Sequence, residues 1–131
     1  MTIAKGKFEL TGWNENAYVE VDHTRKLTRA SVTQDFTGDV TGKGSVEWLM
    51  SYQPDGTARF VGLQRIEGSV GGVQGSFVLE TIGDFDGTEA TGTWTVIAGS
   101  GTGQLATLTG TGSFRAPHGP TATYEFEYTL E

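Results

Sequence analysis

Asp22 and His23 are adjacent, and a carboxylate beside an imidazole has the makings of a general base. Both lie in a stretch without regular patterning, so two solvated loop residues are the competing reading. The second histidine, His118, also falls in a loop-like segment. A metal site would need two or three more convergent ligands, and no paired-histidine spacing is present, so neither a metal nor another cofactor is expected. Gly99-Ser100-Gly101-Thr102-Gly103 invites comparison with a phosphate cradle. It lacks the Lys-Ser/Thr of a P-loop and any following helix long enough to present a dipole, so it reads as a structural turn. Ser100 is a lone serine with no histidine partner and no nucleophile elbow around it. Glu20 and Arg29 could clamp a substrate at a shared rim, or form an ordinary surface ion pair.

Whatever positions these groups is built from strands. Alternation of apolar and polar residues recurs along the chain, and no window sustains a 3.6-residue rhythm. Strands are predicted at roughly 4–13, 26–37, 43–53, 57–67, 73–82, 89–98, 109–116 and 121–130. Gly12–Arg25 is the longest irregular stretch, holding Trp13, Tyr18, Glu20, Asp22 and His23. Eight strands at this spacing mean a sandwich or a barrel. The 20 glycines, many inside strands, favour an all-β, eight-stranded, antiparallel closed barrel. The apolar quartet Leu105–Leu108, fenced by glycines, predicts one short helical turn near 104–108 closing one end. At 131 residues the chain is read as a single domain, 1–131.

Turn chemistry sets the faces. Gln53-Pro54-Asp55-Gly56-Thr57 suits a type I turn with a glycine bulge, which places Tyr52 opposite Ala58, Met50 opposite Phe60 and Trp48 opposite Gly62. A two-residue Asp55-Gly56 turn would instead shift the register by one. Gly71-Gly72 as a hairpin loop pairs Ile66 with Phe77 and Gln64 with Leu79. The inner face then collects Trp48, Met50, Tyr52, Phe60, Gln64, Phe77, Trp94, Tyr124 and Tyr128. These nine are the predicted cavity lining, with Gln64 and the phenols as its polar points. Glycines 62, 75, 92 and 112 share that parity and are expected to leave room for one small ligand. Gln64 is a possible partner for a buried indole N–H of Trp48 or Trp94. On the outer face Leu49, Val61, Leu63, Val78 and Ile82 cluster, and predict a homodimer or higher oligomer.

Charge narrows the partners. With 9 basic and 16 acidic residues the net charge is −7, which argues against nucleic acid and against an anionic membrane surface. There is no cysteine. No signal peptide and no apolar run of the ~20 residues a transmembrane helix needs is apparent, so a soluble, cytoplasmic protein is expected.

The pattern Gly-x-Gly-Thr-Gly-x-Leu-x-x-Leu-x-Gly-x-Gly-x-Phe, residues 99–114, resembles a motif of the allene-oxide-cyclase-like barrels, and dirigent proteins carry a related element. More closely, the chain resembles the small family known as domain of unknown function 3224. That resemblance rests on Leu27–Val32, Glu47–Tyr52, Phe60–Leu63, Gly75–Leu79 and Gly92–Val96. It implies an eight-stranded barrel. The distant relatives close rings or steer radical coupling by holding a substrate in shape, and none of their polar pocket residues aligns here. The expected function is therefore binding of a small hydrophobic molecule in the interior, with cyclase or isomerase action by confinement as one possibility. The alternatives are a non-catalytic, lipocalin-like carrier and an interaction protein working through its outer apolar patch.

Overall fold

Period-two burial runs through the chain as the sequence pattern requires. In the last strand Ala122, Tyr124, Phe126 and Tyr128 are buried while the residues between them face solvent. A computed structural model describes residues 1–117 and 119–131. His118 lies outside the described residues. The strands are β1 (Thr2–Glu20), β2 (Lys26–Gly38), β3 (Val40–Tyr52), β4 (Ala58–Val70), β5 (Val73–Phe85), β6 (Ala90–Val96), β7 (Thr102–Gly103), β8 (Thr109–Ala116) and β9 (Thr121–Thr129). They are antiparallel in the order β4-β3-β2-β1-β9-β8-β6-β5, and β4 also pairs with β5. That last pairing closes an eight-stranded barrel and removes its sheet edges. The two-residue β7 is an addition beside the start of β5.

The register follows the turns. Tyr52 pairs with Ala58, Met50 with Phe60 and Trp48 with Gly62. Gly56, at φ +87°, provides the left-handed residue of the turn, and its N–H donates to the Gln53 carbonyl at 3.0 Å. Ile66 faces Phe77 and Gln64 faces Leu79 across the Gly71-Gly72 loop.

Two expectations change. Residues 12–20 are not irregular: β1 continues to Glu20 and forms a long hairpin with β2, with irregularities between Leu10 and Gly12 and between Ala17 and Val19. Most of that extension is exposed on both faces, so its sequence carries no apolar alternation to read. Near 104–108 there is a pair of tight turns and no helix, with Leu105 N–H donating to the Thr102 carbonyl and Leu108 N–H to the Leu105 carbonyl. The quartet is too short for more, and both its leucines are fully buried, plugging one end of the barrel. The preceding loop is stapled to β5: the Ser76 N–H donates to Thr102 Oγ1 at 3.1 Å and the Val78 N–H to Ser100 Oγ at 3.0 Å. Ser100 is thus a structural bracket.

Candidate functional site

The end opposite the leucine plug is the chemically richer one. Below the Leu10/Gly12 irregularity Ala4 and Phe8 point inward; above it the parity reverses, and Trp13 and Glu15 face the interior opposite Val32 and Ala30. A bulge re-aims side chains in this way because one extra residue in a strand exchanges its two faces. Glu15 is half-buried as a result. Its Oε2 accepts from Tyr52 Oη–H at 2.7 Å and from the buried Thr28 Oγ1–H at 2.6 Å. Its Oε1 accepts from Trp13 Nε1–H at 3.2 Å. All three donors are neutral, and no cation pairs with Glu15 among the described residues. Burial, and then the hydrogen-bonded Glu15 carboxylate, push the Tyr52 phenol well above its ordinary range. The hydroxyl stays protonated and acts as a donor. The Trp13 indole, 48% exposed, lies across the mouth with its ring centre 5.9 Å from that of the buried Trp48.

Beneath the mouth the barrel is filled with rings. Phe8, Phe36, Trp94, Phe114 and Tyr124 interlock at centroid separations of 5.1–6.2 Å, and Trp48 and Phe60 continue the cluster. The nine residues predicted to line a cavity all point inside, and all but the half-buried Tyr52 are buried. The inward glycines do not leave a void. A Cβ on Gly62 would meet Trp48 Cδ1 at 2.8 Å, one on Gly75 would meet Leu105 at 3.1 Å, and the space over Gly92 belongs to Phe114. At Gly62 and Gly92 a ring takes the space, and at Gly75 Leu105 and the Thr102 carbonyl do, so these glycines mark occupied space. A concavity of about 830 Å³ lies on the outer wall, beside Arg59, Asp84, Thr93, Arg115 and Glu125. Of the nine residues it touches only Tyr124.

Polar groups inside are unevenly satisfied. The Tyr124 hydroxyl is committed to the corner between β2 and β3: it accepts from the Val40 N–H at 2.9 Å and donates to the Thr37 carbonyl at 2.9 Å. Gln64 does not serve a tryptophan. Its Nε2 donates to Gln34 Oε1 at 2.6 Å, and its Oε1 accepts from Thr81 at 3.4 Å. Among the described residues three fully buried donors have no protein partner: Trp48 Nε1, Trp94 Nε1 and Gln34 Nε2. Each unmade hydrogen bond of this kind costs roughly 1–3 kcal/mol.

The other candidates resolve differently. The Asp22 carboxylate accepts from the N–H groups of Thr24 and Arg25 and pairs with the Arg25 guanidinium at 2.7 Å. Those hydrogen bonds hold it far below the usual carboxylate range, so it is a turn residue and not a partner for His23, which is exposed. Arg29 pairs with Glu47 at 2.8 Å on the outer surface and not with Glu20. Sequence reasoning missed Glu15, Thr28 and Gln34. Thr28 and Gln34 stand two residues either side of the inward Ala30–Val32 pair, so simple parity would have found them. Glu15 could be found only through the bulge.

On the outer wall Leu49, Val61 and Ile82 lie side by side across β3, β4 and β5, each at least 40% exposed. Leu63 adjoins them, and the half-buried Val78 lies beside Ile97, whose N–H it accepts at 2.9 Å. No helix among the described residues is long and apolar enough to cross a membrane.

Residues 4–128 match a family described as "Protein of unknown function (DUF3224)". A solved structure from Shewanella oneidensis MR-1, itself described as a protein with unknown function from the DUF3224 family, superposes with a TM-score of 0.84 at 29% identity, over 100% of this chain and 98% of that one. No curated protein matches.

Proposed function

The chain belongs to the DUF3224 family of proteins of unknown function, and from that premise we propose that its barrel binds a small, largely apolar molecule carrying hydrogen-bond acceptors, admitted past Trp13. The observation that carries this reading is the set of three buried, unpartnered donors on Trp48, Trp94 and Gln34. Buried N–H groups are almost always paired, and here the orphans are all donors within one ring-lined interior. A ligand with carbonyl or carboxyl oxygens supplies what they lack. Because the rings fill the barrel, binding requires Trp13 and its neighbours to move aside. Holding is favoured over turnover, since Tyr52 and Tyr124 are both kept protonated and Tyr124 is fully committed to backbone. Ring closure or isomerisation by confinement would use the same mouth.

A thermal-shift screen of lipophilic compounds bearing oxygen acceptors tests this. At least one is expected to raise the melting temperature saturably, and Trp94→Phe, which keeps a ring but removes the donor, should weaken its binding about tenfold. Recovering the compound unchanged supports a carrier, and recovering an isomer supports confinement catalysis. Binding that ignores the substitution at both Trp94 and Trp48 would sink the proposal.

A second reading, assembly with another copy of the chain, is favoured by the continuous row Leu49–Val61–Ile82 with Leu63 beside it. Sedimentation analysis at micromolar concentration should then give a dimer or higher species that Leu63→Glu dissociates. A monomer that Leu63→Glu leaves unchanged retires this reading.

A further inference from the structure

The Glu15 carboxylate stands at the barrel mouth and accepts hydrogen bonds from three neutral donors. Two aromatic side chains border the carboxylate, Trp13 through its Nε1–H and Tyr52 through its Oη–H. The chain already places one cation there. Lys26, opposite Tyr52 across β2 and β3, sets its Nζ 5.1 Å from the centre of the Tyr52 ring. Among the described residues Lys26 has no carboxylate partner within ion-pair distance, and it rests against the ring face instead. Glu20 stands on the same rung as Lys26 and adds a second acidic group to this end. Ala58, Phe85, Ala90 and Ala116, linked by strand pairing at the same end, add apolar surface there. Carboxylate, indole, phenol and apolar rim together suit an alkylammonium group: charge meets Glu15, ring faces meet its polarised CH groups, and its carbons meet the rim.

We propose that the barrel mouth is a binding site for a small organic cation, a primary or quaternary amine, held by Glu15, Trp13 and Tyr52, with Lys26 as a tethered competitor for the Tyr52 face. The site lies above the interior and does not depend on the interior binding anything. Two aromatic side chains with one carboxylate suit an organic cation and not a metal ion, which would ask for several convergent oxygen ligands. Among the described residues no such group of metal-binding side chains occurs.

The chain has three tryptophans, so three indole N–H signals in a nitrogen–proton correlation spectrum separate the mouth from the interior. Titration with choline is expected to move the Trp13 signal saturably. Lys26→Met should tighten choline binding about tenfold by removing the competitor, and Glu15→Gln should weaken it by at least as much. The neutral isostere 3,3-dimethyl-1-butanol should leave Trp13 unmoved. Three results would each overturn the proposal: an equal response to that alcohol, the same shift from sodium chloride at matched ionic strength, or no saturable response in Lys26→Met. An unchanged pattern for Trp48 and Trp94 in the free Glu15→Gln protein checks that the barrel is intact. Failure at Trp13 leaves the interior reading untouched, because that one is read at the other two indoles.

Discussion

Gly42→Ala is expected to destabilise the protein by about 3 kcal/mol or more, the sum of two penalties that act together. Gly42 sits in β3 at φ +132°, a backbone conformation that side chains rarely adopt. A Cβ there would also collide with the Glu67 carbonyl oxygen and come within 2.8 Å of Gly68 Cα on the facing strand. The obstruction is backbone, so no side chain can swing away to relieve it. Gly56→Ala separates the two effects. Gly56 also has positive φ, but nothing lies within 4 Å of where its Cβ would stand, so only conformational strain is added. That variant should lose roughly 1 kcal/mol. Denaturant unfolding midpoints measure both. Equal losses would mean that the close approach of β3 and β4 at Gly42 and Gly68 is not a packing constraint.

Phe114→Ala should cost about 3–5 kcal/mol. The Phe114 ring stands among Phe8, Trp48, Phe60 and Trp94 at centroid separations of 5.8–6.4 Å and covers the Gly92 backbone. Removing it opens an apolar hole that the surrounding stiff rings cannot close. The same variant bears on function: a hole of this kind stays dry and accepts a small aromatic molecule. Benzene should therefore recover part of the lost stability in Phe114→Ala and do nothing for the unmodified protein, in which that space is occupied. Unfolding curves with and without benzene measure the effect. A variant that loses less than about 1 kcal/mol would mean the interior collapses around the missing ring.

Much of the fold was legible because its determinants are local. Pro54-Asp55-Gly56 and Gly71-Gly72 set the registers of two hairpins, and period-two alternation then sorted Trp48, Met50 and Phe60 from Leu49 and Val61. The site was less legible, for two physical reasons. The β1 extension buries little, so hydrophobic patterning is silent over residues 12–20, and the bulge that turns Trp13 and Glu15 inward leaves no compositional mark. The glycines were misread in a more instructive way. Inward glycine can mean empty space or space taken by a neighbour, and sequence cannot distinguish them until the rings at Gly62 and Gly92 and the Leu105 side chain at Gly75 are placed. Hydrogen bonding was a further gap: that Gln64 would pair with Gln34, leaving both buried indoles without acceptors, depends on three-dimensional proximity between β2 and β4.

Under the proposed function, a barrel with a packed interior has to exchange self-contacts for ligand contacts. The strong ring packing argues that any ligand replaces aromatic surface with comparable apolar surface, and gains its specificity from the unpaired donors. Trp48 and Trp94 are therefore where interior binding is decided. The most direct measurement is the behaviour of their two indole N–H signals while the protein is titrated with an acceptor-bearing compound that stabilises it. At least one of the two is expected to move saturably, with the same dissociation constant as the gain in melting temperature. Binding that saturates while both signals stay still would contradict it, as would a protein that no compound of this class stabilises.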